Sequence, residues 1–161
     1  MGYTTEFDGR FDLNPALTPA QVEYLNKFSR TRRMKRCPSI VEKMPDPIRE
    51  AVGLPIGTDG EYFVGSEASM GQDCDCPSVI DYGWDAPSSQ PGLWCQWIPS
   101  QDGKSLKWDG NEKFYYYTEW LQYIIKHFLV RWGVTANGCV KWRGEKSSDT
   151  GTINVVNNTV K

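Results

Sequence analysis

From Tyr3 to Leu13 the chain alternates. Tyr3, Thr5, Phe7, Gly9, Phe11 and Leu13 take one parity, and Thr4, Glu6, Asp8, Arg10 and Asp12 take the other. A period of two puts one set on a buried face and the other in water, so this stretch predicts a strand. Gly9 inside it predicts a bulge or a close neighbour. Asn14-Pro15 ends the strand. Thr18-Pro19-Ala20-Gln21 then carries agreeing signals for a helix start. Thr18 caps, Pro19 suits the first helical position and Gln21 closes a capping box. Leu17 and Val22 form its hydrophobic staple, and Val22, Leu25 and Phe28 share one helical face. The pattern runs to about Met34, and Cys37-Pro38 stops it.

The next stretch has little periodicity. Asp46 to Gly53 predicts a two-turn helix, capped by Asp46 and ended by Gly53. Glu61 to Val64 predicts a short strand. Ser66 to Pro91 is rich in Gly, Ser, Asp and Pro and predicts a long loop. Leu93 to Pro99 and Lys104 to Trp108 predict a hairpin across Asp102-Gly103. A helix follows near Thr118, with Trp120, Leu121, Ile124, Ile125, Phe128 and Trp132 at helical spacing and Gly133 at its end. Gly138 to Glu145 and Thr150 to Val156 predict a second hairpin, and Asn157-Asn158 turns Thr159 to Lys161 back.

The sum is an α+β fold: a mostly antiparallel sheet with two main helices on one face. Its repeated strand–helix–strand order hints at a ferredoxin-like split. The 161 residues predict a single domain, with an insertion at 37–60 and an acidic loop at 66–91.

Charge changes this picture more than composition does. Between Ala51 and Gly103 there is no Lys or Arg, only Asp59, Glu61, Glu67, Asp73, Asp75, Asp81, Asp85 and Asp102. All 18 basic residues lie elsewhere, densest at Arg30-Thr-Arg-Arg-Met-Lys-Arg36. Two readings follow: a basic face with an acidic loop, or two regions that neutralise each other across the fold. The five cysteines, an odd number, and the absence of an export signal predict reduced thiols and a cytoplasmic protein. Cys74-Asp75-Cys76 is too closely spaced for an ordinary zinc site, and His127 is the sole histidine. No metal or cofactor is expected, and no apolar run is long enough for a membrane span.

No nucleophile elbow, Walker loop or dinucleotide fingerprint occurs. His127 sits mid-helix without a partner at local spacing, so it reads as packing rather than catalysis. The basic cluster is different. Arg32, Arg33 and Arg36 carry forks that can grip phosphate, although a solvated helix end has the same look. Trp94, Trp108 and Tyr115 can stack a base, and Lys113 lies among them, although a core also needs aromatics. Trp97, Trp120 and Trp142 read as core.

Met1-Gly-Tyr-Thr-Thr-Glu-Phe7, Phe28-Ser-Arg-Thr-Arg-Arg-Met-Lys-Arg36, Gln90-Pro-Gly-Leu-Trp-Cys-Gln-Trp97, Trp108-Asp-Gly-Asn-Glu-Lys-Phe-Tyr115 and the Asn137-Gly138, Val140, Trp142, Gly144-Glu145 pattern resemble a family of small proteins scattered through bacteria and phages. The resemblance covers most of the chain outside 37–60. It implies no reaction and no catalytic residue. A phage setting implies counter-defence, by sequestering a host signal or blocking a host protein.

Three functions are therefore carried forward. The first is a non-enzymatic binder of a nucleotide-like, phosphate-bearing small molecule through Arg32, Arg33, Arg36, Trp94, Trp108, Lys113 and Tyr115. The second is an inhibitor of a host protein through the acidic loop. The third is a nucleotide hydrolase or nuclease. A homo-oligomer is left open, and no membrane partner is expected.

Overall fold

The computed structural model describes residues 2–66, 75–83 and 86–161. The chain divides into two compact units, Met1–Val22 with Gln96–Lys161, and Glu23–Cys95.

The first unit is built on an antiparallel sheet. Its strands are β1 (Glu6–Asn14), β4 (Trp97–Pro99), β5 (Ser105–Trp108), β6 (Thr135–Arg143), β7 (Thr150–Val156) and β8 (Thr159–Val160), in the order β4-β5-β1-β6-β7-β8. Every paired neighbour in it is antiparallel. β1 begins three residues later than the alternation predicts, because Glu6 is the first residue to find a partner, Arg143. Gly9 is the close neighbour expected: its φ is 115°, and a Cβ there would stand 2.7 Å from the carbonyl oxygen of Cys139.

The strand period sorts the sheet into two faces. Phe11, Leu13, Leu106, Val140, Ile153 and Val155 are buried. Asp8, Arg10, Asp12, Cys139, Lys141, Arg143, Thr150 and Thr152 are exposed. This is the half-wet arrangement that antiparallel sheets permit. Helix α4 (Tyr117–Ile124) lies over the apolar face, where the Tyr117 ring meets Phe7 and Trp142. Its last turns widen into a π-helical stretch, Ile125–Leu129, closed by Val130 N–H donating to the Ile125 carbonyl. Ile125, Phe128 and Leu129 are buried along it, at the i, i+3, i+4 spacing that keeps one helical face apolar. Each large apolar side chain so covered contributes about 1.5–3 kcal/mol. The Asn157-Asn158 turn forms as read, with both residues at positive φ, and returns β8 along β7.

Helix α1 (Pro19–Ser29) opens with the expected capping box: Thr18 N–H donates to Gln21 Oε1 at 2.9 Å, and Gln21 N–H to Thr18 Oγ1 at 3.2 Å. It ends at Ser29, not near Met34. Thr31 Oγ1 donates back to the Lys27 carbonyl, and the Arg33 N–H pairs with the Leu93 carbonyl, so the chain past Ser29 is drawn into extended contacts.

The second unit has little regular structure: the two-stranded pair β2 (Lys35–Arg36) and β3 (Val79–Asp81), the short helices α2 (Pro38–Val41) and α3 (Pro47–Ala51), and a 3₁₀ turn at Thr58–Gly60. Val41, Phe63 and Cys76 form a small apolar cluster within it. Two expectations fail here. Asp46 does not cap α3 with its side chain. Its carboxylate instead meets Arg49 Nε at 2.7 Å and accepts the Gly65 N–H at 2.9 Å. Glu61 to Val64 forms no strand, although Tyr62, Phe63 and Val64 are buried. The acidic stretch 66–91 is described only in part; Asp73, Cys74 and Asp85 lie outside the described residues.

Candidate functional site

The basic segment after α1 serves the second unit's interior. Arg33 is 2 % exposed. Its Nε donates to the Thr31 carbonyl at 3.0 Å, Nη1 to Glu61 at 2.9 Å and Nη2 to Phe63 at 2.9 Å, while the guanidinium lies 4.2 Å from the Phe28 ring centroid. Arg36 is buried as well, with Nη1 donating to Ser78 Oγ at 2.8 Å and the guanidinium over Phe63. The carbonyl between the two held by Arg33, that of Tyr62, accepts the Tyr24 hydroxyl at 2.8 Å. Residues 61–63 therefore satisfy their carbonyls with side chains instead of a neighbouring strand. This corrects the expectation for Arg33 and Arg36: their donors point at the chain's own oxygens and not toward an incoming phosphate.

Arg32 differs. It too is nine-tenths buried, at 7 % exposure, with Nη2 donating to the Gly83 carbonyl at 2.6 Å and the guanidinium 3.9 Å from the Tyr82 ring centroid. Its Nη1 has no hydrogen-bond partner among the described residues.

The predicted aromatic set is divided. Trp94 is half-buried in the same unit as the three arginines, whereas Trp108, Lys113 and Tyr115 belong to the other unit. Trp108 Nε1 is shared between Gln96 Oε1 at 3.2 Å and the Asn111 carbonyl at 3.1 Å, and its ring packs on Phe7. Trp97 and Trp120 are core, with Trp97 Nε1 donating to the Tyr117 carbonyl at 2.8 Å. Lys113 and Tyr115 are exposed on the segment that leads into α4, and Tyr115 Oη accepts the Tyr3 N–H at 3.3 Å.

That contact leads to a place the sequence did not single out. Gly2 to Thr4 runs past the β6–β7 turn. The Tyr3 hydroxyl donates to Asp149 at 2.5 Å, and the Thr4 N–H to Glu145 Oε1 at 2.8 Å. The carboxylate beside it raises the Tyr3 phenol above its ordinary range. Beside this anchor the wet face of the sheet holds an open depression of about 510 Å³, lined by Glu6, Asp8, Lys141, Arg143, Thr150 and Thr152 with the backbone between them. A second hollow of about 350 Å³ shares Glu6 and Arg143 and extends to Thr4, Glu145 and Ser147. The Arg143–Glu6 pair is 3.2 Å apart with both side chains about two-thirds exposed, a weak and displaceable contact. The register explains the grouping. Glu6 pairs with Arg143 and Asp8 with Lys141 across β1–β6, and Thr150 and Thr152 pair with the same two cations across β6–β7. The outward residues of three strand ends thus form one cluster of two carboxylates, two cations and two hydroxyls.

Beyond it, the outer edge of β7 is covered in part. Gly144 N–H donates to Asp149 and Lys161 N–H donates to Asn154. In an antiparallel ladder these two bonds fix the parity: the N–H and C=O groups of Thr150, Thr152 and Asn154 point away from β6. β8 pairs only with Val155 and Val156, and Lys161 takes Asn154. Thr150 and Thr152 therefore present main-chain groups with no strand partner among the described residues.

No family model, curated protein or solved structure matches this chain. Among the described residues no group of His, Cys, Asp and Glu is arranged to hold a metal, and no helix is long and apolar enough to cross a membrane.

Proposed function

We propose that the protein is a binding module that engages another polypeptide at the β1–β6–β7 end of its sheet. One observation carries this reading: a depression of about 510 Å³ and a strand edge unpaired among the described residues coincide at Thr150–Thr152, with Lys141 and Arg143 beside them. Natural sheets usually blunt such edges with charges, proline or a covering element. The blocking-protein function expected from sequence is kept, but its surface moves from the acidic loop to the sheet.

A second reading has its own support. Arg32 is a buried guanidinium whose Nη1 has no hydrogen-bond partner among the described residues, stacked on a partly exposed Tyr82. Of the predicted phosphate-binding triad, it is the member with a buried donor left without a partner among the described residues. A nucleotide-like, phosphate-bearing ligand, as phage counter-defence by sequestration would require, would centre there.

Amide chemical-shift mapping separates the two, using a mixture of acidic heptapeptides in one titration and ATP in another. The first reading expects shifts at residues 6–8, 141–143 and 150–152 with peptides and none there with ATP. ATP shifts at Arg32 and Tyr82, with no response to peptides, would reverse the order.

A further inference from the structure

We infer that the partner adds an extended strand to the outer edge of β7, and that this strand alternates acidic and apolar residues. This rests on the binding-module reading and specifies its mode and chemistry.

The main chain sets the mode. Two residues of one parity, Thr150 and Thr152, each offer an N–H and a C=O to the outside, and both are exposed. A strand laid here continues the ladder beyond the Lys161–Asn154 bond and recovers about one main-chain hydrogen bond per residue. The edge carries neither proline nor a charged residue from Thr150 to Val156.

The two faces of β7 set the sequence. On the wet face Lys141 sits directly beside Thr152, and Arg143 beside Thr150. A strand added outside β7 lies two strand spacings from β6, roughly 10 Å, which a lysine or arginine and a carboxylate span together. The carboxylates Glu6 and Asp8 stand one strand further in, on the far side of those cations. An incoming residue opposite either threonine thus meets positive charge first. On the other face Gly151 carries no side chain, and the indole of Trp142 fills that space: a Cβ on Gly151 would fall 2.5 Å from the indole ring. Trp142 is only half-buried, backed by Tyr117 at 6.0 Å between centroids. The edge of this ring is a seat for an apolar side chain opposite Gly151. Acid, apolar, acid is the pattern that fits Thr150, Gly151 and Thr152. A second copy of β7 would bring Thr-Gly-Thr, with neither charge nor apolar bulk to offer.

The test uses the intact chain and a capped heptapeptide, Thr-Glu-Val-Glu-Val-Glu-Thr. Binding should slow hydrogen exchange at the Thr150 and Thr152 amides. N-methylation at alternate peptide nitrogens should weaken binding by about tenfold or more per site, while methylation at the intervening nitrogens leaves it within about twofold. A peptide with Lys for Glu should bind at least about tenfold more weakly, and Lys141→Glu with Arg143→Glu should invert that preference. Equal effects from both N-methyl sets would overturn strand addition while leaving the binding-module reading intact. Absence of any peptide-induced shift at millimolar concentration would overturn both. A dimer of the free protein with Thr150 and Thr152 already protected would assign the edge to a second copy and overturn the acidic partner.

Discussion

The two units keep their interiors dry by different means. In Met1–Val22 with Gln96–Lys161, main-chain groups pair with one another across six strands, and the buried side chains are almost wholly apolar. In Glu23–Cys95 the strands are few, and Arg33, Arg36, Arg49, Asp46 and the Tyr24 hydroxyl are buried instead. A sheet satisfies its carbonyls as it forms. A chain of turns does not, and each buried oxygen needs a donor delivered from elsewhere. Arginine suits this work because one rigid fork serves several oxygens, as Arg33 does at Thr31, Glu61 and Phe63. Basic residues at the end of a helix are therefore ambiguous in a sequence. Here they serve as internal struts, because the neighbouring chain is irregular.

The same substituent placed in each interior tests this contrast. Arg33→Met keeps much of the stem and removes the fork, orphaning buried carbonyls, and should cost about 3–5 kcal/mol by urea denaturation. Leu106→Met, in the sheet's core, keeps volume and adds no polar need, and should cost less than about 1.5 kcal/mol. Equal costs would erase the distinction. Hydrogen exchange sharpens it: Arg33→Met should deprotect amides within 23–95 more than those of β6 and β7.

The smallest effect expected concerns Tyr3. Its phenol is raised by the Asp149 carboxylate, so the neutral, donating form is favoured in the folded state. The stability it contributes is complete below the ordinary tyrosine range and is lost as pH climbs through the raised value. Tyr3→Phe should flatten that alkaline loss in thermal melts from neutral pH to about pH 11. An unchanged slope would mean that the N-terminal anchor does not hold in solution.

The legible parts of the chain were those whose causes are local. The alternation around Phe7, Phe11 and Leu13 gave β1, the Thr18–Gln21 box gave the start of α1, and Asn157-Asn158 gave the last turn. The box and the turn rest on neighbours within a few residues, and β1 on an alternation that its partners β5 and β6 complete. Glu61 to Val64 has strand-like residues and misled for the same reason: a strand needs a partner, and here its partners are Tyr24 and Arg33, distant in the chain. The candidate site was less legible still. Glu6, Asp8, Lys141, Arg143, Thr150 and Thr152 are ordinary polar residues on three separate strands, and only register sets them side by side. A signal did exist, since their parity marks the wet face, but parity does not say which strands are neighbours.

Sequence by itself determined β1 and its apolar face, the start of α1 and the last turn, because these follow from side-chain period, cap chemistry and turn residues. Tertiary structure alone decided that Arg33 and Arg36 are struts and that, among the described residues, Arg32 Nη1 has no hydrogen-bond partner and the outer edge of β7 at Thr150–Thr152 has no strand partner. Those outcomes depend on pairings between residues far apart in the chain, and a pairing energy is not a property of either residue alone.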